Sequence, residues 1–200
     1  QSPPGPHLGR LQEKHGLSGG TVLLCIDVSG SMAGRRLHLA KEGGEQFLRE
    51  AVAARYEAGL VLWHASVQKY VRPQPSGSAA LAALGRAHSW GGTNVIPCLK
   101  LARRLFGPMS GDRVLCIFSD GEFGDRAHAR RLARELCEMG VRIIVRGLGR
   151  HAAGALGDLA CPGQPDAHQV IQHEDAIGTG IASMAARLTG ITRAANPPRG

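Results

Sequence analysis

Asp27, Ser29 and Ser31 alternate along five residues, with Val28 and Gly30 between them. One carboxylate and two hydroxyls this close together offer a small hard cation three oxygen donors. Mg²⁺ prefers such donors, at roughly 2.0–2.1 Å, and keeps several waters. Two later stretches could complete the set. Gly91-Gly92-Thr93-Asn94 presents a hydroxyl on a glycine-softened loop, where backbone can approach closely. Ser119-Asp120-Gly121 presents a second carboxylate. Neither Cys nor His recurs with these five residues, so Mg²⁺ or Mn²⁺ is favoured over Zn²⁺. Their plainer role is local: Ser and Thr cap helices, and Asp accepts backbone N–H bonds. That role does not explain why two carboxylates should follow two apolar runs.

Those runs are Thr21–Ile26 and Arg113–Phe118, and both read as buried strands. Asp27 and Asp120 therefore stand where strands end, the place at which open parallel sheets gather ligands. Between and beyond them the pattern alternates. A helix is expected over Arg35–Arg55, with Gly44 on its apolar side suited to close packing on the sheet. Strands are expected at Gly59–Ala65 and Val67–Val71. The link between them is too short for a parallel crossover, so the pair must be antiparallel. Short or amphipathic helices follow at Ala79–Leu84, Val95–Phe106, Arg126–Met139 and Ala152–Leu159. Further strands are expected at Val141–Val145 and His168–Ile171, and a closing helix over Ile177–Leu188. Strands alternating with helices imply a mostly parallel sheet covered on both faces.

Asp27, Ser29, Ser31, Thr93 and Asp120, in this order, resemble the metal-ion-dependent adhesion site (MIDAS) of the von Willebrand factor A (vWA) family. The resemblance runs from about Thr21 to Leu188. It implies an α/β fold: a three-layer, Rossmann-like arrangement with about six strands, one antiparallel edge strand, and helices on both faces. It implies that the two Ser, and often the Thr, hold the metal directly, with the Asp groups acting through water. An Asp or Glu of a partner protein would fill the open position. Asn94, Glu122 and Asp125 could tune the site from outside it, although Glu122 and Asp125 also suit a solvated loop. The resemblance further suggests that the closing helix slides when a partner engages. The expected organisation is a linker over residues 1–20, with a short helix at Leu8–Leu17, a vWA-like domain over 21–190, and a tail over 191–200.

The rest of the composition weighs against other classes. A net charge of +8 suits an acidic partner or nucleic acid, but only 4% of residues are aromatic and no basic–aromatic interleaving is present. A basic nucleic-acid-binding domain is thus one alternative. A metal-dependent phosphohydrolase is the other, with His64 the one histidine near the site. A phosphatase of the haloacid dehalogenase type needs an Asp two residues after its nucleophile, where this chain has Ser29. No enzyme activity is expected. Gly147-Leu148-Gly149-Arg150-His151-Ala152 matches a dinucleotide fingerprint, but it follows a late strand. No apolar run reaches the ~18 residues that a membrane span needs. The five cysteines form no C-x-x-C pair and read as reduced thiols, which points to a cytoplasmic protein. The Ala-, Arg- and Gly-rich composition hints at a bacterial source.

Overall fold

Apolar side chains fill both faces of the central strands, because each face carries a helical layer. In β1 (Gly20–Asp27), Val22, Leu24 and Ile26 enter one core, while Leu23 and Cys25 enter the other. This alternation is the period-two geometry of a strand buried on both sides. The computed structural model describes residues 19–164 and 166–189. The expected linker over 1–20, its helix at Leu8–Leu17 and the tail over 191–200 fall outside these, apart from residues 19 and 20.

The chain runs β1, α1 (Arg35–Ala53), β2 (Tyr56–Trp63), β3 (Val67–Gln74), α2 (Ser78–Gly85) and α3 (Ile96–Phe106). It continues through β4 (Arg113–Ser119), α4 (Arg126–Glu138), β5 (Arg142–Leu148), α5 (Gly149–Gly157) and β6 (His168–Ile171). Two short helices close it, α6 (Ile177–Ser183) and α7 (Ala186–Thr189). The six strands lie in the order β3-β2-β1-β4-β5-β6. Every pairing is parallel except β2 with β3. Helices α1, α2, α6 and α7 share one core with the sheet; α3, α4 and α5 share the other. This is the expected three-layer α/β architecture with an antiparallel edge strand.

The strand order places the site. After β1 the chain builds outward through β2 and β3, then crosses back to β4 on the other side of β1. Strand order therefore reverses between β1 and β4. A crevice opens at the carboxyl ends of strands at such a switch point. Ile26 pairs with Phe118 there, so Asp27 and Ser119 leave the sheet side by side.

Several boundaries differ from the sequence reading. β3 runs through Pro73 to Gln74 rather than ending at Arg72-Pro73. It is an edge strand, where the missing N–H of proline can face outward without breaking a ladder bond. The closing helix is divided at Met184 and Ala185. The expected Val141–Val145 strand extends to Leu148, so the fingerprint stretch begins inside β5. A Cβ on Gly147 would lie 2.4 Å from Ala153 N, and this glycine lets α5 press on the strand. Gly44 does pack closely: a Cβ there would meet Leu84 at 2.9 Å and Ile26 at 3.0 Å. Its neighbour Gly43 brings α1 against α6, where a Cβ would meet Gly178 O at 2.3 Å.

The cysteine expectation is corrected. Cys137 and Cys161 form a disulfide, with Cα atoms 5.6 Å apart. Cys137 ends the α4 stretch and Cys161 follows α5, so only packing of these helices side by side brings the two together. Cys25, Cys98 and Cys116 are free and buried.

Candidate functional site

Asp27 occupies the last position of β1 and is fully buried. Both carboxylate oxygens are engaged. The Ser29 N–H donates to Oδ1 at 2.8 Å, and the Ser119 hydroxyl donates to Oδ2 at 2.7 Å. The first bond folds the chain after β1 into a tight turn, since an Asp side chain readily accepts from the backbone two residues on. The turn then winds one short 3₁₀ segment, Gly30–Met32, and buries Met32 as an anchor.

Ser29 and Ser31 leave this turn on the same side, their hydroxyl oxygens 3.1 Å apart. Ser31 donates to Asp120 Oδ1 at 2.8 Å across 89 residues of sequence. The hydroxyls of Ser29 and Ser31 and the Asp120 carboxylate thus form a side-chain chain over the switch point, and Asp27 joins it through the Ser29 backbone N–H. The Asp120 side chain has no solvent exposure. Burial pushes the Asp27 carboxyl above its ordinary value; the Ser29 and Ser119 hydrogen bonds oppose this, and the nearby Asp120 charge adds to it.

The loop bearing Thr93 is tied to the same turn. Gly30 N–H donates to Gly91 O at 2.9 Å, and Trp90 N–H to Val28 O at 2.8 Å. Gly91 has a φ of +73°, which favours glycine, and a Cβ there would press on the His64 ring at 3.2 Å. Thr93 is half-buried, and no hydrogen bond joins its hydroxyl to the other four residues among the described ones. Four of the five predicted residues are therefore linked directly, and the fifth lies on a loop held against them.

The outer residues behave more plainly. Asn94 Oδ1 accepts from Ile96 N–H at 3.1 Å, at the entry of α3. Asp125 caps α4, accepting from His128 N–H at 2.9 Å. Glu122 is exposed and lies 3.5 Å from His151. His64 Nδ1 faces Ser66 N–H at 3.4 Å. None of these hydrogen-bonds the five central residues.

Two residues that sequence reasoning passed over complete the site. Ser119 fixes Asp27; its only sequence signal is its place beside Asp120 at the end of β4. Arg36, in the first turn of α1, donates to Asp120 Oδ2 at 2.7 Å and lies 3.4 Å from Glu174. The adjacent Arg35 pairs with Asp175. Arg36 thereby joins the Asp120 carboxylate to the segment that leads into α6. Its pKa is raised, chiefly by the hydrogen bond to Asp120.

The donors here are carboxylate and hydroxyl oxygens, the set a hard divalent cation takes. Among the described residues no three His, Cys, Asp or Glu side chains are placed to hold an ion. A metal at this place would therefore depend on the hydroxyls of Ser29, Ser31 and Thr93 as well as the two carboxylates. Asp27 and Asp120 are two buried carboxylates, and Arg36 bonds only Asp120 of the two, so a cation would relieve the negative charge that remains.

Residues 22–122 match the von Willebrand factor type A domain family, and the chain belongs to that family. The matched span contains all five candidate residues. Among solved structures, the fold is similar to a von Willebrand factor type A protein from Catenulispora acidiphila, with a TM-score of 0.70 and 22% identity. That similarity covers 86% of this chain and 43% of the other, so the present chain spans less than half of that relative. The vWF domain of the type V pili tip protein Mfa5 from Porphyromonas gingivalis superposes with a TM-score of 0.73 at 12% identity, covering 90% of this chain and 97% of that one. Proximal thread matrix protein 1 from the mussel byssus, in a form with a zinc-occupied MIDAS motif, gives a TM-score of 0.66 at 15% identity, covering 84% and 47%. No curated protein matches the chain in sequence. Domains of this family are typically protein-interaction or adhesion modules. Among the described residues no helix is long and apolar enough to cross a membrane.

Proposed function

We propose that this domain binds a protein partner through a divalent cation held by Asp27, Ser29, Ser31, Thr93 and Asp120, with an Asp or Glu of the partner completing the ion's coordination. The observation that carries the reading is the convergence of four oxygen-bearing side chains at the switch point: Asp27 is held by the Ser29 backbone N–H, and the hydroxyls of Ser29 and Ser31 lead on to Asp120. Oxygen donors favour Mg²⁺ or Mn²⁺. The mussel protein's zinc-occupied motif supports the idea that the family's site accepts a divalent ion. The bound ion would supply a positive centre for a carboxylate, while the chain's own residues would hold it and exclude water from its inner side.

Three features support a protein partner over a catalytic or nucleic-acid role. Asp27 is buried and spends both oxygens on hydrogen bonds, the opposite of a carboxylate poised to attack phosphorus. Trp90, on the loop beside the turn, is the exposed large apolar side chain among the described residues, 68% accessible. Exposed Trp anchors are common in protein interfaces. Many arginines are already matched to acids, including Arg49, Arg103, Arg126, Arg130 and Arg187. The net charge of +8 still leaves cations unmatched, and what weighs against nucleic acid is the scarcity of aromatic side chains, 4% of residues, on which bases could stack.

The test is a pull-down from a cell extract, with and without chelator, using the wild-type chain and Ser29→Ala. A partner retained only by the wild type with Mg²⁺ or Mn²⁺ supports the proposal. A partner held equally well by Ser29→Ala in chelator contradicts it.

A further inference from the structure

Arg146 is a buried cation that the metal site does not use. It lies in β5 and is 1% exposed. Its Nε donates to the Ser183 hydroxyl at 3.1 Å, and its Nη1 donates to Val145 O at 2.9 Å, with longer contacts to Asp166 O at 3.3 Å and Ala167 O at 3.5 Å. Nη2 is buried and has no partner among the described residues. No carboxylate pairs with it among those residues either, because the Asp166 side chain is taken by Arg187 at 2.9 Å. Burial pulls the Arg146 pKa below its ordinary value. Arginine nonetheless stays charged in proteins, so this is a charge under the surface that no carboxylate bonds directly among the described residues, with Asp166 acting on it only from a distance.

Arg146 is one of the residues that line a groove of about 330 Å³ between β6 and α6. β6 is the outer strand on that side of the sheet. Gln169, His173, Thr179 and Ser183 add polar groups to the same wall. Gln169 is the cross-strand partner of Arg146 in the parallel register, so the two side chains leave the sheet on the same face. Val170, Ile171 and Ala176 add apolar lining, so a charged donor without an acceptor beneath this groove is half of a charge-assisted pair in a weakly polar setting.

We propose that this groove binds a small oxyanion, a carboxylate or a phosphate group, with Arg146 as its charged anchor. The long side chain swings a short way into the groove, giving up its weak contacts to Asp166 O and Ala167 O. The two Nη2 hydrogens then have an acceptor, and the Gln169 amide and the His173 ring can donate to the remaining oxygens, while the Thr179 hydroxyl keeps its bond to Ala176 O. The site needs no metal and stands apart from the cation proposal.

The test is a ¹H–¹⁵N NMR titration of the whole chain, stripped of divalent ions on a chelating resin and kept at constant ionic strength with NaCl. Inorganic phosphate is one arm and acetate the other. The expected result is a saturable shift of the Arg146 Nε–H and of the amides of Gln169, His173, Thr179 and Gly180, with a parallel rise in Tm. Saturation by phosphate alone assigns the site to phosphate groups; saturation by acetate as well extends it to carboxylates. Arg146→Met should lose about tenfold or more of the affinity. Gln169→Glu keeps the arginine but sets a carboxylate beside it, and should abolish the anion response while raising Tm without any anion. Absence of saturable groove shifts in the wild type would overturn the proposal. So would equal shifts in Gln169→Glu, which would mark general screening of a basic surface.

Discussion

Asp27 and Arg146 are both charged residues with almost no solvent exposure, on β1 and β5 of the same sheet. Around Asp27 every oxygen is met by a donor from this chain, and the network runs on through two serines to a second carboxylate. Around Arg146 one donor group is left without an acceptor, and no carboxylate bonds the guanidinium among the described residues, Asp166 being paired to Arg187. The acidic centre is fully hydrogen-bonded yet short of positive charge. The basic one is short of both an acceptor and negative charge. Saturated hydrogen bonding and charge balance are separate requirements, and the acidic centre meets only the first. On this account each site awaits a counterion of opposite sign, and they can be perturbed independently.

The largest effect is expected from Asp27→Ala. It orphans the buried Ser29 N–H, at a cost of roughly 1–3 kcal/mol, and leaves the Ser119 hydroxyl only Gly121 O, at 3.1 Å, to donate to. Divalent binding should be lost with it, and urea titration plus calorimetry read both effects. The Arg146 groove should keep its phosphate response in this variant. A loss there too would break the independence of the two sites.

Reduction of the Cys137–Cys161 bond comes next. It closes a sequence separation of 24, worth about 3 kcal/mol by loop entropy. Thermal melts with and without reductant should differ accordingly, while divalent affinity stays unchanged, since the bond joins α4 to the chain after α5. Equal melts would show that the bond adds no stability.

Arg36→Ala should act in the opposite direction on the metal. Arg36 supplies the positive charge now held by Asp120, and it is about a third exposed, so its pairing contributes at most about 1 kcal/mol to folding. Removing it should raise divalent affinity several-fold and lower stability slightly, as read by calorimetry and melts. Weaker metal binding would mean that Arg36 arranges the site instead of competing with the ion.

The smallest effect concerns pH. The folded chain holds the Asp27 proton more tightly than the unfolded chain. Without metal, this contribution to stability is full below the ordinary carboxylate range and is lost as pH rises through the raised value. A divalent ion favours the ionised form, so its affinity should fall as pH drops through the same window. Titration of Mn²⁺ between pH 4 and 7 checks the sign.

Much of this was legible in the sequence because it is local or strictly periodic. The Asp27–Ser31 spacing, the strand at His168–Ile171 and the antiparallel pairing forced by the short link before Val67 needed only neighbours along the chain. Gly44 could be read as a packing glycine from its place on the apolar face. What stayed hidden depends on distance in sequence. Arg36 meets Asp120 across 84 residues, and nothing around it marks it apart from other helical arginines. Cys137 and Cys161 lack any paired spacing, and only the packing of α4 beside α5 joins them. Arg146 lies just past the expected Val141–Val145 strand, and its burial shows only once the strand is seen to run on to Leu148 and α6 covers it. The break at Met184 and Ala185 is invisible to apolar periodicity, because Ile181, Met184, Ala185 and Leu188 stay buried on both sides of it.

The most direct measurement is a Mn²⁺ titration of the wild-type chain followed by electron paramagnetic resonance, alongside Ser31→Ala and Thr93→Ala. The account predicts one ion per chain at millimolar metal or below, with each hydroxyl removal weakening it at least several-fold. Absence of bound Mn²⁺ at millimolar concentration, or binding that both variants retain in full, would contradict it.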